Sequence, residues 1–217
     1  NYSLDANTTG DENVAVGYGS LGANTTGEGN TAIGSEGLKV NTTGNYNTAS
    51  GSWALHSNTT GSSNTATGSE ALKANTTGVS NVATGAEALK ANTTGSYNTA
   101  TGLHSLYANT TGSNNTGTGI FSLKANTEGD KNTAIGYSLY ANTTGDDNIG
   151  MGYNALAANI TGTRNIAIGN GSLVLPDTEN DNLAIGHMAL GASIAGGEFN
   201  LSIGNYSMDA LTSGDGN

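Results

Sequence analysis

Leucine and alanine return along this chain at fixed distances, and asparagine, threonine and glycine fill the places between them. In residues 88–104, ALKANTTGSYNTATGLH, the order is a Leu-led segment ending in Gly, two variable residues, an Asn-led segment ending in Gly, and two more variable residues. The same order recurs in blocks of 17 from Ser3 to Tyr206, and a partial block runs on to Asn217. With positions counted from the Ser or Ala before Leu, position 2 is Leu in twelve blocks: Leu4, Leu21, Leu38, Leu55, Leu72, Leu89, Leu106, Leu123, Leu139, Leu156, Leu173 and Leu190. Position 11 is Asn throughout, from Asn13 to Asn217, and position 15 is Gly from Gly17 to Gly204. Self-similarity at a short fixed period predicts a solenoid in which each block is one coil stacked on the next. Seventeen residues are too few for a helical pair. The expectation is an all-β parallel β-solenoid, or β-roll, of about twelve coils with two strands per coil, forming one domain over residues 1–217.

Side chains alternate across a strand, and this assigns faces to both segments. In residues 88–95, Leu89, Ala91 and Thr93 fall on one face and Lys90, Asn92 and Thr94 on the other. The Lys90 column is polar and variable (Asp5, Lys39, His56, Lys73, Tyr107, Lys124), so that face reads as outward and the Leu column as the core. In residues 98–102, Asn98, Ala100 and Gly102 share the inner face, and the stacked Asn residues predict amide ladders. Positions 12 and 14 then point outward. They are Val14/Val16 and Thr31/Ile33 in the first two coils, Thr-rich in the middle coils (Thr65/Thr67, Thr99/Thr101) and apolar again later, with Ile135, Met151, Ile168, Ile185 and Ile203 at position 14. An exposed apolar stripe marks a contact, so these five are candidate self-association residues. The competing assignment inverts the strand and places them in the core.

Composition narrows the chemistry. The chain has 34 Gly, one Pro, and 35% hydrophobic residues, poor material for a globular core but adequate where backbone ladders replace it. Six Lys+Arg against 17 Asp+Glu give a net charge of −11, which argues against nucleic acid or an anionic membrane as partner. Without Cys there is no disulfide framework and no thiolate chemistry. No apolar run is long enough for membrane insertion. A start at Asn1 with no Met and no signal-like segment predicts a processed or partial chain.

The GxxNTAIG segments followed by a second Gly-ended segment resemble the head repeats of YadA-type trimeric autotransporter adhesins. The NTAxG and ALxxNTTG arrays also resemble repeats of phage tail-fibre-like proteins. The resemblance spans essentially the whole chain, although the second segment here is about three residues longer than the adhesin unit. It implies parallel β-rolls displayed on an extracellular fibre, at a cell surface or on a virion, commonly with three chains side by side. It supplies no catalytic or ligand residue to carry over.

Asn7, Asn24, Asn41, Asn58, Asn75, Asn92, Asn109, Asn142 and Asn159 each begin an N-x-T sequon. Read as outward-facing, they are candidate glycosylation acceptors; the competing reading gives Asn and Thr a turn and ladder role. The Thr-x-Thr pairs of the middle coils carry an alternative function, an ice-binding face. His56, His104 and His187 occupy different coil positions and do not pair at ligand spacing. The acids at Asp11-Glu12 and Asp146-Asp147 fall in turns without a Ca²⁺-loop pattern. No cofactor and no metal site is expected. No acid, base or nucleophile pair recurs, so the chain reads as a fibre component and not as an enzyme. Its expected partners are other copies of itself and a glycan or host-surface ligand.

Irregularities are few. Coil eight has one turn residue, Tyr137, and coil twelve carries an extra residue near Gly197-Glu198-Phe199. Coil eleven replaces NTTG with Pro176-Asp177-Thr178-Glu179, where Pro predicts a bulge or a mild cap. Residues 1–13 match residues 205–217 at nine of thirteen positions, variable residues included, which predicts a higher-order repeat or end-to-end stacking of subunits.

Overall fold

Each full coil contributes a short strand, and among the described residues that strand is the Asn-led segment. The computed structural model describes residues 2–174, 178–192, 197–211 and 214–217. Contacts divide the chain into two units, Asn1–Thr111 and Gly112–Asn217. The first holds strands β1 (Val14–Val16), β2 (Thr31–Ile33), β3 (Thr48–Ser50), β4 (Thr65–Thr67), β5 (Val82–Thr84) and β6 (Thr99–Thr101), each parallel to the next and in register. The second holds β7 (Thr116–Thr118), β8 (Thr133–Ile135), β9 (Ile149–Met151), β10 (Ile166–Ile168), β11 (Leu183–Ile185) and β12 (Leu201–Ile203), paired the same way. The all-β parallel solenoid expected from the period is therefore the fold. The bulge or cap expected at Pro176 lies outside the described residues.

The Leu-led segment is not the second strand that its alternation predicts. Among the described residues it is a run of turns entered through two left-handed residues, one at position 17 and one at the Leu: Glu70 has φ 57° and Leu72 φ 52°, Glu87 φ 57° and Leu89 φ 52°. Turn hydrogen bonds close it, from Ala71 N–H to the Gly68 carbonyl, Lys73 N–H to Glu70, and Asn75 N–H to Leu72. Between these bonds the same residues still join adjacent coils, as in Leu72 N–H to the Ala88 carbonyl at 3.0 Å and Ala74 N–H to Lys90 at 3.0 Å. The backbone's polar groups are thus satisfied without a second ladder of strands. A left-handed Leu is costly, and its complete burial offsets that cost.

The core is narrow and built of columns. Leu21, Leu38, Leu55, Leu72, Leu89 and Leu106 are fully buried in the first unit, and Leu123, Leu139, Leu156, Leu173 and Leu190 in the second; Leu4 is half-buried. Ala residues at the centre of the strands face them, as Ala32, Ala49, Ala66, Ala83 and Ala100 do in the first unit. Two glycine columns allow the coils to approach this closely. Gly68 has φ 135°, and a Cβ there would stand 2.5 Å from the Gly85 carbonyl oxygen of the next coil. A Cβ on Gly27 would stand 2.5 Å from both Asn24 Oδ1 and the Gly44 carbonyl.

The length irregularities are absorbed locally. At the short turn of coil eight the left-handed residue is lost, Gly136 shifts to φ 89°, and Ser138 Oγ donates to the Gly150 carbonyl at 2.8 Å. The extra residue in coil twelve leaves the Asn ladder intact, since Asn200 N–H still donates to Asn182 Oδ1 at 3.0 Å across a separation of 18.

Candidate functional site

The outer face of the strands carries the largest set of sequence-singled residues in one arrangement. Within each strand the middle residue is inward and the outer two face solvent, from Val14 and Val16 in β1 to Leu201 and Ile203 in β12. The inverted assignment, with these residues in the core, is excluded. In the second unit, position 14 presents Ile135, Met151, Ile168, Ile185 and Ile203 side by side, in register across β8 to β12. Position 12 adds Ile149, Ile166, Leu183 and Leu201 beside them. In the position-14 column Ile135, Ile168 and Ile203 are exposed, at 40%, 37% and 63%, and Met151 and Ile185 between them are half-buried. In the first unit the same columns begin with exposed Val14, Val16 and Ile33 and then become largely hydroxylic, with Thr48/Ser50, Thr65/Thr67 and Thr99/Thr101 interrupted by Val82.

The sequon asparagines are not on the outside. Asn24, Asn41, Asn58, Asn75, Asn92, Asn109, Asn142 and Asn159 are fully buried, and Asn7 is half-buried. The outward assignment assumed strand alternation, and the turns closed by Lys73 N–H to Glu70 and Asn75 N–H to Leu72 bring position 5 to the same inner side as Leu. Each Nδ2 is already in use. Asn75 Nδ2 donates to Asn58 Oδ1 at 2.8 Å and to the Gly78 carbonyl at 3.0 Å, and Asn92 Nδ2 in turn donates to Asn75 Oδ1 at 2.8 Å. The amide that a glycan would occupy is thus a ladder element. The position-11 column forms a second ladder: Asn81 N–H donates to Asn64 Oδ1 at 3.0 Å, and its Nδ2 donates to the Gly95 carbonyl at 2.9 Å. Asn159 Oδ1 has no partner among the described residues, and the next residue of its column in the sequence is Pro176.

Two features escape sequence reading. Position 9, read as a variable turn residue, caps the coil before it: Ser62 Oγ accepts from Asn45 N–H at 3.0 Å, Ser96 Oγ from Val79 N–H, and Asp146 Oδ1 from Asp130 N–H at 2.7 Å. The signal was the run of Asn, Ser, Asp and Thr at that place, the residues that accept backbone bonds in turns. The second feature is an edge formed by positions 17 and 3 of successive coils, where Glu, Lys and aromatic side chains collect. Trp53 stacks on His56 at 4.7 Å, and Lys73 lies 4.4 Å above Trp53. Lys90 bridges Glu70 at 2.9 Å and Glu87 at 3.1 Å, and these carboxylates, Glu70 first, raise its pKa. Burial pushes the His56 imidazole below its ordinary value and outweighs the opposing pull of Glu36, 3.3 Å from Nε2. On the second unit Lys124 lies over the Phe121 and Tyr140 rings, Tyr137 stacks on Tyr140 with centroids 5.2 Å apart, and Tyr153 packs on Tyr137 at 5.5 Å. These rings looked scattered because they come from coil positions that only stacking brings together.

Among the described residues no cluster of His, Cys, Asp or Glu could hold a metal ion, and no helix is long and apolar enough to cross a membrane. The chain matches no protein-family model, no curated protein and no solved structure.

Proposed function

We propose that this chain is a structural and adhesive component of an extracellular fibre, displayed at a cell surface or on a virion, whose copies associate side by side through the outer strand face. The observation that carries the reading is the pair of outward-facing apolar columns on β8 to β12, with Ile135, Ile168, Leu201 and Ile203 exposed. Burying such a stripe against a second chain is favourable at about 25 cal/mol per Å² of apolar surface. The resemblance of the repeats to adhesin heads supports a trimer of parallel chains as the assembly. The match between residues 1–13 and 205–217 supports end-to-end contacts between copies as well. The role requires no catalysis and no cofactor.

The test is light scattering and cryo-electron microscopy of the purified chain beside an Ile168→Lys, Ile185→Lys variant. Discrete oligomers or filaments should form from the unmodified chain and be lost in the variant. A concentration-independent monomer in both would overturn the reading.

A second reading rests on the hydroxylic columns of the first unit. Thr67, Thr84 and Thr101 stand in register on one outward face beside Thr48, Thr65 and Thr99, a column broken by Val82, and such a hydroxyl array is able to order water and bind ice. Thermal-hysteresis measurement decides it: activity abolished by Thr65→Tyr would support ice binding, and no hysteresis in the unmodified chain would end it.

A further inference from the structure

The edge formed by positions 17 and 3 is filled with side chains in nearly every coil, and in one coil of the first unit it is empty. Gly19 and Gly22 occupy the two positions there. The flanking coils carry Tyr2 and Glu36 at position 17 and Asp5 and Lys39 at position 3. The missing side chains leave a groove of about 420 Å³, within the range of roughly 300–1,000 Å³ found for small-molecule sites. Tyr18 borders it and meets Tyr2 edge to face, with centroids 5.9 Å apart and planes at 87°. Both rings remain largely open to solvent, at 58% and 64%. Asp5 and Lys39 also line it, the ammonium lying 3.2 Å from Glu36.

We infer that this groove binds a neutral pyranose oligosaccharide. A sugar ring has an apolar C–H face suited to an exposed Tyr ring, and hydroxyls that donate to a carboxylate and accept from an ammonium. The glycine floor lets the ring approach the backbone. The charges around the groove select among glycans: Asp5 and Glu36 outweigh Lys39, and the chain carries a net −11, so acidic sugars are repelled. The groove lies on the edge, on residues the strand-face contact does not use, and the inference does not depend on association.

The test uses a printed array of neutral and acidic oligosaccharides, read with the full chain and repeated with the Ile168→Lys, Ile185→Lys variant so that loss of association leaves it intact. The filling variant is Gly19→Trp. Gly19 has φ 64°, nearly that of Trp53 at φ 63° in the equivalent place, and a Cβ on Gly19 would meet nothing closer than Glu36 Cγ at 3.8 Å. Gly19→Trp and Tyr18→Ala should each weaken binding to neutral oligosaccharides by about tenfold or more with unchanged circular dichroism. Tyr97→Ala, an exposed ring outside the groove, should leave binding unchanged. Absence of binding to any neutral oligosaccharide, a preference for acidic ones, or equal binding by Tyr18→Ala and the unmodified chain would each overturn the inference.

Discussion

Asparagine makes the highest demand of any side chain in this molecule, because it is polar, fully buried and repeated in two columns. Asn75→Ala would strip a donor from Asn58 Oδ1 and from the Gly78 carbonyl and remove the acceptor of Asn92 Nδ2. With several buried groups left unpaired, the expected cost is about 3 kcal/mol or more. Thr77→Ala, two residues away on an exposed side chain, should cost little, and thermal unfolding of the two variants compares them directly. The same burial predicts that peptide mapping of native protein finds unmodified Asn at these sequons; occupied sites would mean that modification precedes folding. His56 gives a residue-scale prediction in pH. Its pKa is depressed in the folded chain, chiefly by burial, so the neutral imidazole is the folded form. That contribution to stability is present above the unfolded pKa of about 6.5 and is lost as pH falls through the lower folded value. Thermal midpoints measured from pH 7 downward should fall less steeply for His56→Gln than for the unmodified chain.

At the scale of the single coil, the critical element is the turn run with its left-handed Leu. Met208 occupies this place with φ 53°, so an unbranched side chain is compatible with it. Leu72→Met should therefore cost less than about 1.5 kcal/mol. Leu72→Val removes buried volume and puts a β-branched residue in the left-handed region, for roughly 2–3 kcal/mol. Thermal midpoints should rank Leu, Met, Val in descending order, and Val equal to Met would argue against left-handed strain. This element also marks the limit of what the sequence reveals. The coil period, the inward Leu column, the central Ala, the outward positions 12 and 14 and the Asn ladders were legible because each follows from repetition plus alternation. The turn run was not, because ALKANTTG alternates as a strand does while its backbone does not. One trace of the turns was present: Gly19 and Gly171 at position 17, and Gly29 and Gly216 at position 10, stand where other coils hold left-handed Glu, Tyr or Ser. The edge site was illegible for a different reason. Its residues lie a full coil apart in sequence, and a missing side chain leaves no motif.

At the scale of the whole molecule, the balance is between net charge and the apolar strand face. Two chains, each with a net charge of −11, repel on approach, and Asp130, Asp146, Asp147 and Asp181 occupy turns of the same unit that carries the apolar columns. The columns themselves hold Ile, Leu, Met and Thr and carry no charge. A contact through them would be driven by apolar burial and opposed by long-range repulsion. Its salt dependence is therefore the reverse of that of an ion-paired interface. Raising ionic strength shortens the Debye length to about 8 Å at 0.15 M and screens the repulsion, leaving the apolar gain nearly untouched. Association measured by light scattering should strengthen from low to moderate salt and strengthen again on warming from the cold, as apolar burial does. Ile168→Lys with Ile185→Lys should remove it, by placing unpaired ammonium groups in the buried patch. Thr65→Lys with Thr99→Lys, the equivalent outward change in the first unit, should leave most of it intact. Dissociation on adding salt, or equal loss in both variants, would show that the chains meet through their charged edges and that the Ile columns serve another purpose.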